Sequence, residues 1–224
     1  MPLSILIRKN FSLNYYRDLI LELLKNEKIS SCYIASGFFS DFTHHLPDED
    51  LDISISEDIH DKKIFLCGNN NDDNQKKMST LSTKLKSKGL NVNNYVLFNH
   101  ENEKPNMIWH AKIVLFTDAK GPVFSIVGSS NFTSPSMYGD AQCPGIKYPP
   151  DFIQLEADTI YWLKDRTEIN DSIFTVFNRW GEGNYAPKIY FNDTYADNEF
   201  EKLLNDIYNS LLTFEWIPLD SENK

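Results

Sequence analysis

The sequence predicts an α/β protein in which a mixed β-sheet is flanked by helices on both faces. Three observations predict it. Short runs rich in Ile, Val, Leu and Phe alternate with stretches of helical apolar spacing, the pattern of α/β layers. The run MIWHAKIVLFTD (107–118), rich in Ile, Val, Leu and Phe, reads as a strand buried on both faces, and VFSIVGSSNF (123–132) reads as a second strand. A third stretch, NEFEKLLNDIYNSLLTF, is a clear amphipathic helix near the C-terminus.

The elements follow in order. NYYRDLILELLKN has apolar residues at helical spacing, with Asn14 as its candidate cap. SCYIASGFF and KKIFLCG read as strands, and a polar loop from Asn69 to Gln75 leads into a basic helix, KKMSTLSTKLKSKG. Asn91 to Phe98 is a further strand. The two apolar runs then pair as a hairpin through Ala119-Lys120-Gly121-Pro122. Thr133 to Asp151, with Tyr138, Lys147 and Tyr148, is a long connection to the strand FIQLEADTIYW. Beyond residue 165 the pattern weakens, and Arg179-Trp180-Gly181-Glu182-Gly183 reads as a turn. The expectation is a single domain over 1–224, with its core at about 12–165 and an extension at 166–224.

Composition narrows the class. The chain has 224 residues, is 41% hydrophobic and 13% aromatic, which suits a globular protein able to bury a sizeable core. No stretch approaches the roughly 18 apolar residues of a membrane span, and no convincing signal peptide is seen, so a cytoplasmic location without stable membrane association is expected. Cys32, Cys67 and Cys143 are odd in number and widely spaced. They read as reduced thiols, not a disulfide framework or a metal site. A formal charge of −10 gives no general attraction to nucleic acid. Lys76, Lys77, Lys84, Lys86 and Lys88, clustered on one predicted helix, make either a local basic groove with Lys112 or a solvated helix face.

The chemistry concentrates in the hairpin. His110-Ala-Lys112 opens one strand, and Gly128-Ser129-Ser130-Asn131 closes the other. On regular strands His110 and Lys112 share a face, as do Ser129 and Asn131, so an imidazole, an ammonium, a hydroxyl and an amide converge at one edge. Neutral imidazole is a nucleophile, and its reference pKa near 6.5 leaves it largely neutral at neutral pH. Lysine, serine and asparagine supply donors for phosphate oxygens as a pentavalent state forms. The cluster lacks the carboxylates that usually hold paired metals, so no metal or cofactor is expected. His60-Asp61-Lys62 repeats the His-x-Lys spacing but has no partner segment and reads as a decoy.

These residues resemble the phospholipase D superfamily, whose HxK(x)4D motif is followed by GSxN. The match lies at His110, Lys112, Gly128, Ser129 and Asn131, while Asp118 is displaced, with five residues between it and Lys112. The resemblance implies a phosphohistidine intermediate, with a later strand carboxylate, Glu156 or as fallback Asp158, orienting the histidine. The superfamily reaction uses two histidines, and this chain has one motif, so a homodimer with a shared active site is expected. Trp109 and Phe132 are candidates for its interface, with core packing as the alternative. Single-motif relatives suggest DNA as substrate and a metal-independent endonuclease, in restriction or defence by analogy. The alternatives are a phospholipid-hydrolysing phospholipase D and a catalytically silent binding module.

Overall fold

The computed structural model describes residues 2–8, 15–41, 62–98, 108–137, 156–180, 188–191 and 197–219. Its apolar runs assemble into a mixed sheet of nine strands, ordered β8-β1-β7-β6-β5-β2-β3-β4-β9. These are β1 (Pro2–Arg8), β2 (Ser31–Ala35), β3 (Lys63–Gly68), β4 (Asn91–Leu97), β5 (Lys112–Asp118), β6 (Gly121–Gly128), β7 (Glu156–Trp162), β8 (Lys188–Phe191) and β9 (Trp216–Pro218). Strands β2, β3 and β4 are parallel, and every other pairing is antiparallel. The helices among the described residues are α1 (Tyr15–Lys25), α2 (Asp72–Ser87), the short α3 (Ser134–Met137), α4 (Thr167–Trp180) and α5 (Asp197–Thr213).

Alternation along the strands explains why both faces are covered. On one face Ile34, Leu66, Val92, Phe116, Ile126 and Ile160 pack against α1, α2 and α4 through residues such as Leu19, Met78 and Ile173. On the other, Ala35, Cys67 and Leu115 pack with Leu211 of α5, and Tyr33, Phe65 and Tyr95 lie half-buried beside them. The expected mixed sheet with helices on both faces is therefore observed.

Several boundaries differ from the sequence expectation. The helix expected from residue 76 begins four residues earlier, at Asp72, because Asn71 accepts a hydrogen bond from the Asn74 N–H at 3.0 Å and caps it. The hairpin strands are shorter than the apolar runs: β5 starts at Lys112 and β6 ends at Gly128. Strand β1, strands β8 and β9, and helices α3 and α4 were not expected. Arg179 and Trp180 are the last residues of α4 and not part of a turn. The segment after residue 166 supplies α4, α5 and two sheet-edge strands. The cap Asn14, residues 181–183, the Tyr138–Tyr148 connection and Cys143 lie outside the described residues.

Strand directions bring the motif residues to one edge. Because β5 runs antiparallel to β2 and β6, the start of β5 meets the ends of β2 and β6, and β7 begins beside the end of β6. Lys112, Gly128 and Asp158 are partners in one row across three strands.

Candidate active site

Lys112 is the first residue of β5, and its ammonium donates to the His110 backbone carbonyl at 2.5 Å. His110 lies just before the strand, so strand alternation does not place it beside Lys112 as the sequence suggested. Its imidazole is exposed, and no described residue bonds it. The His110 backbone is set by its neighbour Trp109, whose indole packs edge-on against Phe214 at 5.0 Å and Trp216 at 5.4 Å.

The Gly-Ser-Ser-Asn segment leaves the sheet at Gly128 and turns. Ser129 donates its hydroxyl proton to Glu156 and accepts the Ala157 N–H at 3.0 Å. Ser130 is buried, with its hydroxyl on Asp158 and its N–H on the same carboxylate at 3.1 Å. Two consecutive serines therefore meet two carboxylates spaced by two along β7. A Cβ at Gly128 would stand 2.5 Å from the Ala157 carbonyl oxygen and run into Asp158, so only glycine leaves room for that carboxylate. Asn131 is half-buried, and Ser36 reaches its side-chain oxygen at 3.4 Å while accepting the Phe132 N–H at 3.1 Å.

Both carboxylates point into the packed face of β7, where Glu156 is 5% and Asp158 1% exposed. Burial of this kind demands partners, and the serines provide them. Glu156 was expected to orient His110, but no hydrogen bond joins it to that imidazole. Asp118 is placed elsewhere: it sits at the far end of β5, about 20 Å from Lys112 at the usual strand rise. There it accepts the Lys120 and Gly121 N–H groups and pairs with Arg166 at 3.0 Å, closing the hairpin turn. The shifted spacing of the aspartate thus corresponds to a structural role.

The remaining sequence candidates have structural places. Trp109 and Phe132, candidates for a dimer interface, are 7% and 3% exposed and belong to the core, Phe132 packing on Phe39. The decoy Lys62 is buried, and its ammonium caps α1 by donating to the Leu24 and Asn26 carbonyls at 2.8 and 2.6 Å. Helix α2 starts at the site edge and carries Lys84, Lys86 and Lys88 away from it, with Lys77 paired to Asp73 and Lys84 to Asp41. Those lysines do not form a groove with Lys112. Sequence reasoning missed Ser36, Gly37 and Asn69, which lie at the ends of β2 and β3 and brace the two motif segments. The signal was present in the Ser-Gly and Gly-Asn pairs that end those strands.

A mixed α/β sheet with His-x-Lys and Gly-Ser-Ser-Asn at one edge is the arrangement by which this chain resembles the phospholipase D superfamily. No protein-family model matches the chain, and no curated protein matches it. Among solved structures it is similar to Nuc from Salmonella typhimurium, a phospholipase D family member, at 12% identity and a TM-score of 0.40 over 86% of this chain and 100% of that one. It is also similar to NucT from Helicobacter pylori, at 14% identity and a TM-score of 0.39 over 78% of this chain and 93% of that one. Phosphatidylserine synthase from Haemophilus influenzae aligns at 11% identity and a TM-score of 0.43, covering 94% of this chain and 46% of that one.

Proposed function

We propose that this protein is a metal-independent phosphodiesterase of phospholipase D type, acting on DNA as an endonuclease through a phosphohistidine on His110. The observation that carries the reading is an exposed histidine, its backbone carbonyl held by the Lys112 ammonium, at the sheet edge where the Gly-Ser-Ser-Asn turn is held by two buried carboxylates. In the reaction a His110 nitrogen attacks phosphorus, a P–N bond forms, and the P–O bond to the leaving group breaks. A second histidine protonates the leaving oxygen. Water then cleaves the P–N bond, with the second imidazole taking its proton. In this reading Lys112 and Asn131 donate to the non-bridging oxygens, and Ser129, engaged with Glu156, stiffens the turn that carries Asn131.

With one motif per chain, the second histidine comes from a second copy, which makes the working unit a homodimer with a shared site. A role in restriction or defence is the biological setting this activity would suit. The test is a reaction on end-labelled oligonucleotide quenched in denaturant: a nucleotide adduct on His110, found by mass spectrometry and absent from His110→Ala, supports the mechanism. Cleavage that needs magnesium and leaves no adduct overturns it.

One observation favours a second reading, hydrolysis of phospholipid. Phe38 and Ile108, 54% and 62% exposed, flank the site edge and could rest against a lipid surface. Head-group release from vesicles, with no action on DNA, would select it. Among the described residues no helix is long and apolar enough to cross a membrane.

A further inference from the structure

We propose that Asn69, just past the end of β3, is the positioning residue that sets where the His110 imidazole stands. The inference rests on the phosphodiesterase reading above, since His110 is the group whose placement matters. The carboxamide pairs with both backbone polar groups of Trp109: its oxygen accepts the Trp109 N–H at 2.6 Å, and its nitrogen donates to the Trp109 carbonyl at 3.2 Å. A neighbouring strand would satisfy a residue in the same way. One side chain thus extends the sheet's constraint to the residue immediately before the nucleophile.

The need for such a clamp follows from the topology. Pairing between β2 and β5 ends at Ala35 and Ile113, so residues 109 to 111 lie beyond the ladder, across the ends of β2 and β3. There the described contacts on the backbone are the Asn69 pair and the Lys112 ammonium on the His110 carbonyl. Lysine is a flexible tether, whereas Asn69 is buried and held itself. Its nitrogen also donates to the Gly37 carbonyl at 3.0 Å, and its own carbonyl accepts from the Asn74 side chain at 3.2 Å. Asn74 in turn accepts the Phe39 N–H at 3.2 Å. The clamp is therefore part of a network joining β2, β3 and α2.

Two further contacts remove the remaining freedom. The Trp109 indole is wedged against Phe214 and Trp216, so backbone and side chain of this residue are both fixed. Gly37 lies against the clamped carbonyl, where an added Cβ would stand 2.6 Å from the Trp109 oxygen. With residue 109 locked and residue 112 in the sheet, His110 has one short span in which to move. A shift of about 1 Å at a reacting group can cost on the order of 100-fold in rate, so this degree of constraint bears on catalysis.

Asn69→Asp is the sharpest variant, because it keeps shape and acceptor while facing two carbonyl oxygens with a third oxygen in place of the donor. The expected result is kcat per folded molecule lower by at least about 10-fold with KM for oligonucleotide nearly unchanged, the split for a group that acts on the reacting centre and not on binding. The imidazole C–H resonances of His110 should shift in the same variant. A folded Asn69→Asp with wild-type kcat and unmoved His110 resonances would overturn the proposal. Should that variant fail to fold, Gly37→Ala displaces the Trp109 carbonyl with Asn69 intact and is expected to show the same kcat loss; wild-type kcat there would equally overturn it. Wild type and His110→Ala are assayed alongside. If wild type itself fails to cleave, the phosphodiesterase reading falls, while the resonance shift still judges Asn69.

Discussion

Asp158 holds Ser130 by two groups at once, accepting its backbone N–H at 3.1 Å and its hydroxyl, and it does so through the space that Gly128 leaves empty. The carboxylate is buried, so this bidentate grip both helps to satisfy it and sets the turn carrying Ser129 and Asn131.

Gly128→Ala is expected to cost about 1–3 kcal/mol, the range for overpacking a filled site, and to lower activity because the turn moves. Urea unfolding with a parallel rate measurement checks both. A variant as stable and active as wild type would show that the close approach is unimportant.

Ser130→Ala removes one of the Asp158 partners and leaves the buried carboxylate short of a donor. The expected loss is about 1.5–3 kcal/mol, as for hydrogen bonds to charged groups. Asp158→Asn, which can still accept the N–H and can donate to the hydroxyl, should be milder. The reverse order in denaturant midpoints would contradict the assignment.

Asp118 and Lys62 are expected to matter for stability and not for chemistry. Asp118→Asn loses the Arg166 pair and weakens the turn, and Lys62→Met leaves the end of α1 uncapped; each should lower the melting temperature while kcat stays within about 2-fold of wild type, since neither lies at the site edge. A much larger fall in kcat for Asp118→Asn would restore it to the catalytic set.

Burial pushes the Cys67 thiol up to about 12 from its ordinary 9.0, and raises Cys32 as well. Both should therefore resist thiol reagents at pH 8 in the folded protein and react on unfolding, in a Cys143→Ser background. The sign for stability follows. The unfolded chain releases the Cys67 proton first, so its contribution is complete below pH 9 and is lost as pH rises towards about 12. Cys67→Ala should flatten that part of the stability profile; an unchanged profile would contradict the shift.

How much was legible depended on how locally each feature is encoded. The hairpin, the parallel strands and α5 were readable because their apolar runs are long and their periods clear. PLSILIR was passed over because a short strand at the chain start has no flanking turn signal, and β8 and β9 are only four and three residues long. Within the site, His110, Lys112, Ser129 and Asn131 are legible in the spacing, while Glu156 enters only through the resemblance. What spacing could not show was pairing across the sheet: that Glu156 would meet Ser129, that Asp118 would turn to Arg166, or that Asn69, 40 positions before Trp109, would clamp it. Alternation along β7 was read correctly, but Glu156 and Asp158 lie on its packed face, because serine partners make that burial tolerable.

The proposed function makes His110 the nucleophile of a phosphodiesterase that needs no metal. Its most direct test is cleavage of plasmid and single-stranded DNA in excess EDTA by wild type and His110→Ala, both confirmed folded and dimeric. Wild type is expected to cut and the variant not; equal cutting by both, or cutting by wild type only when magnesium is restored, would overturn the role of His110.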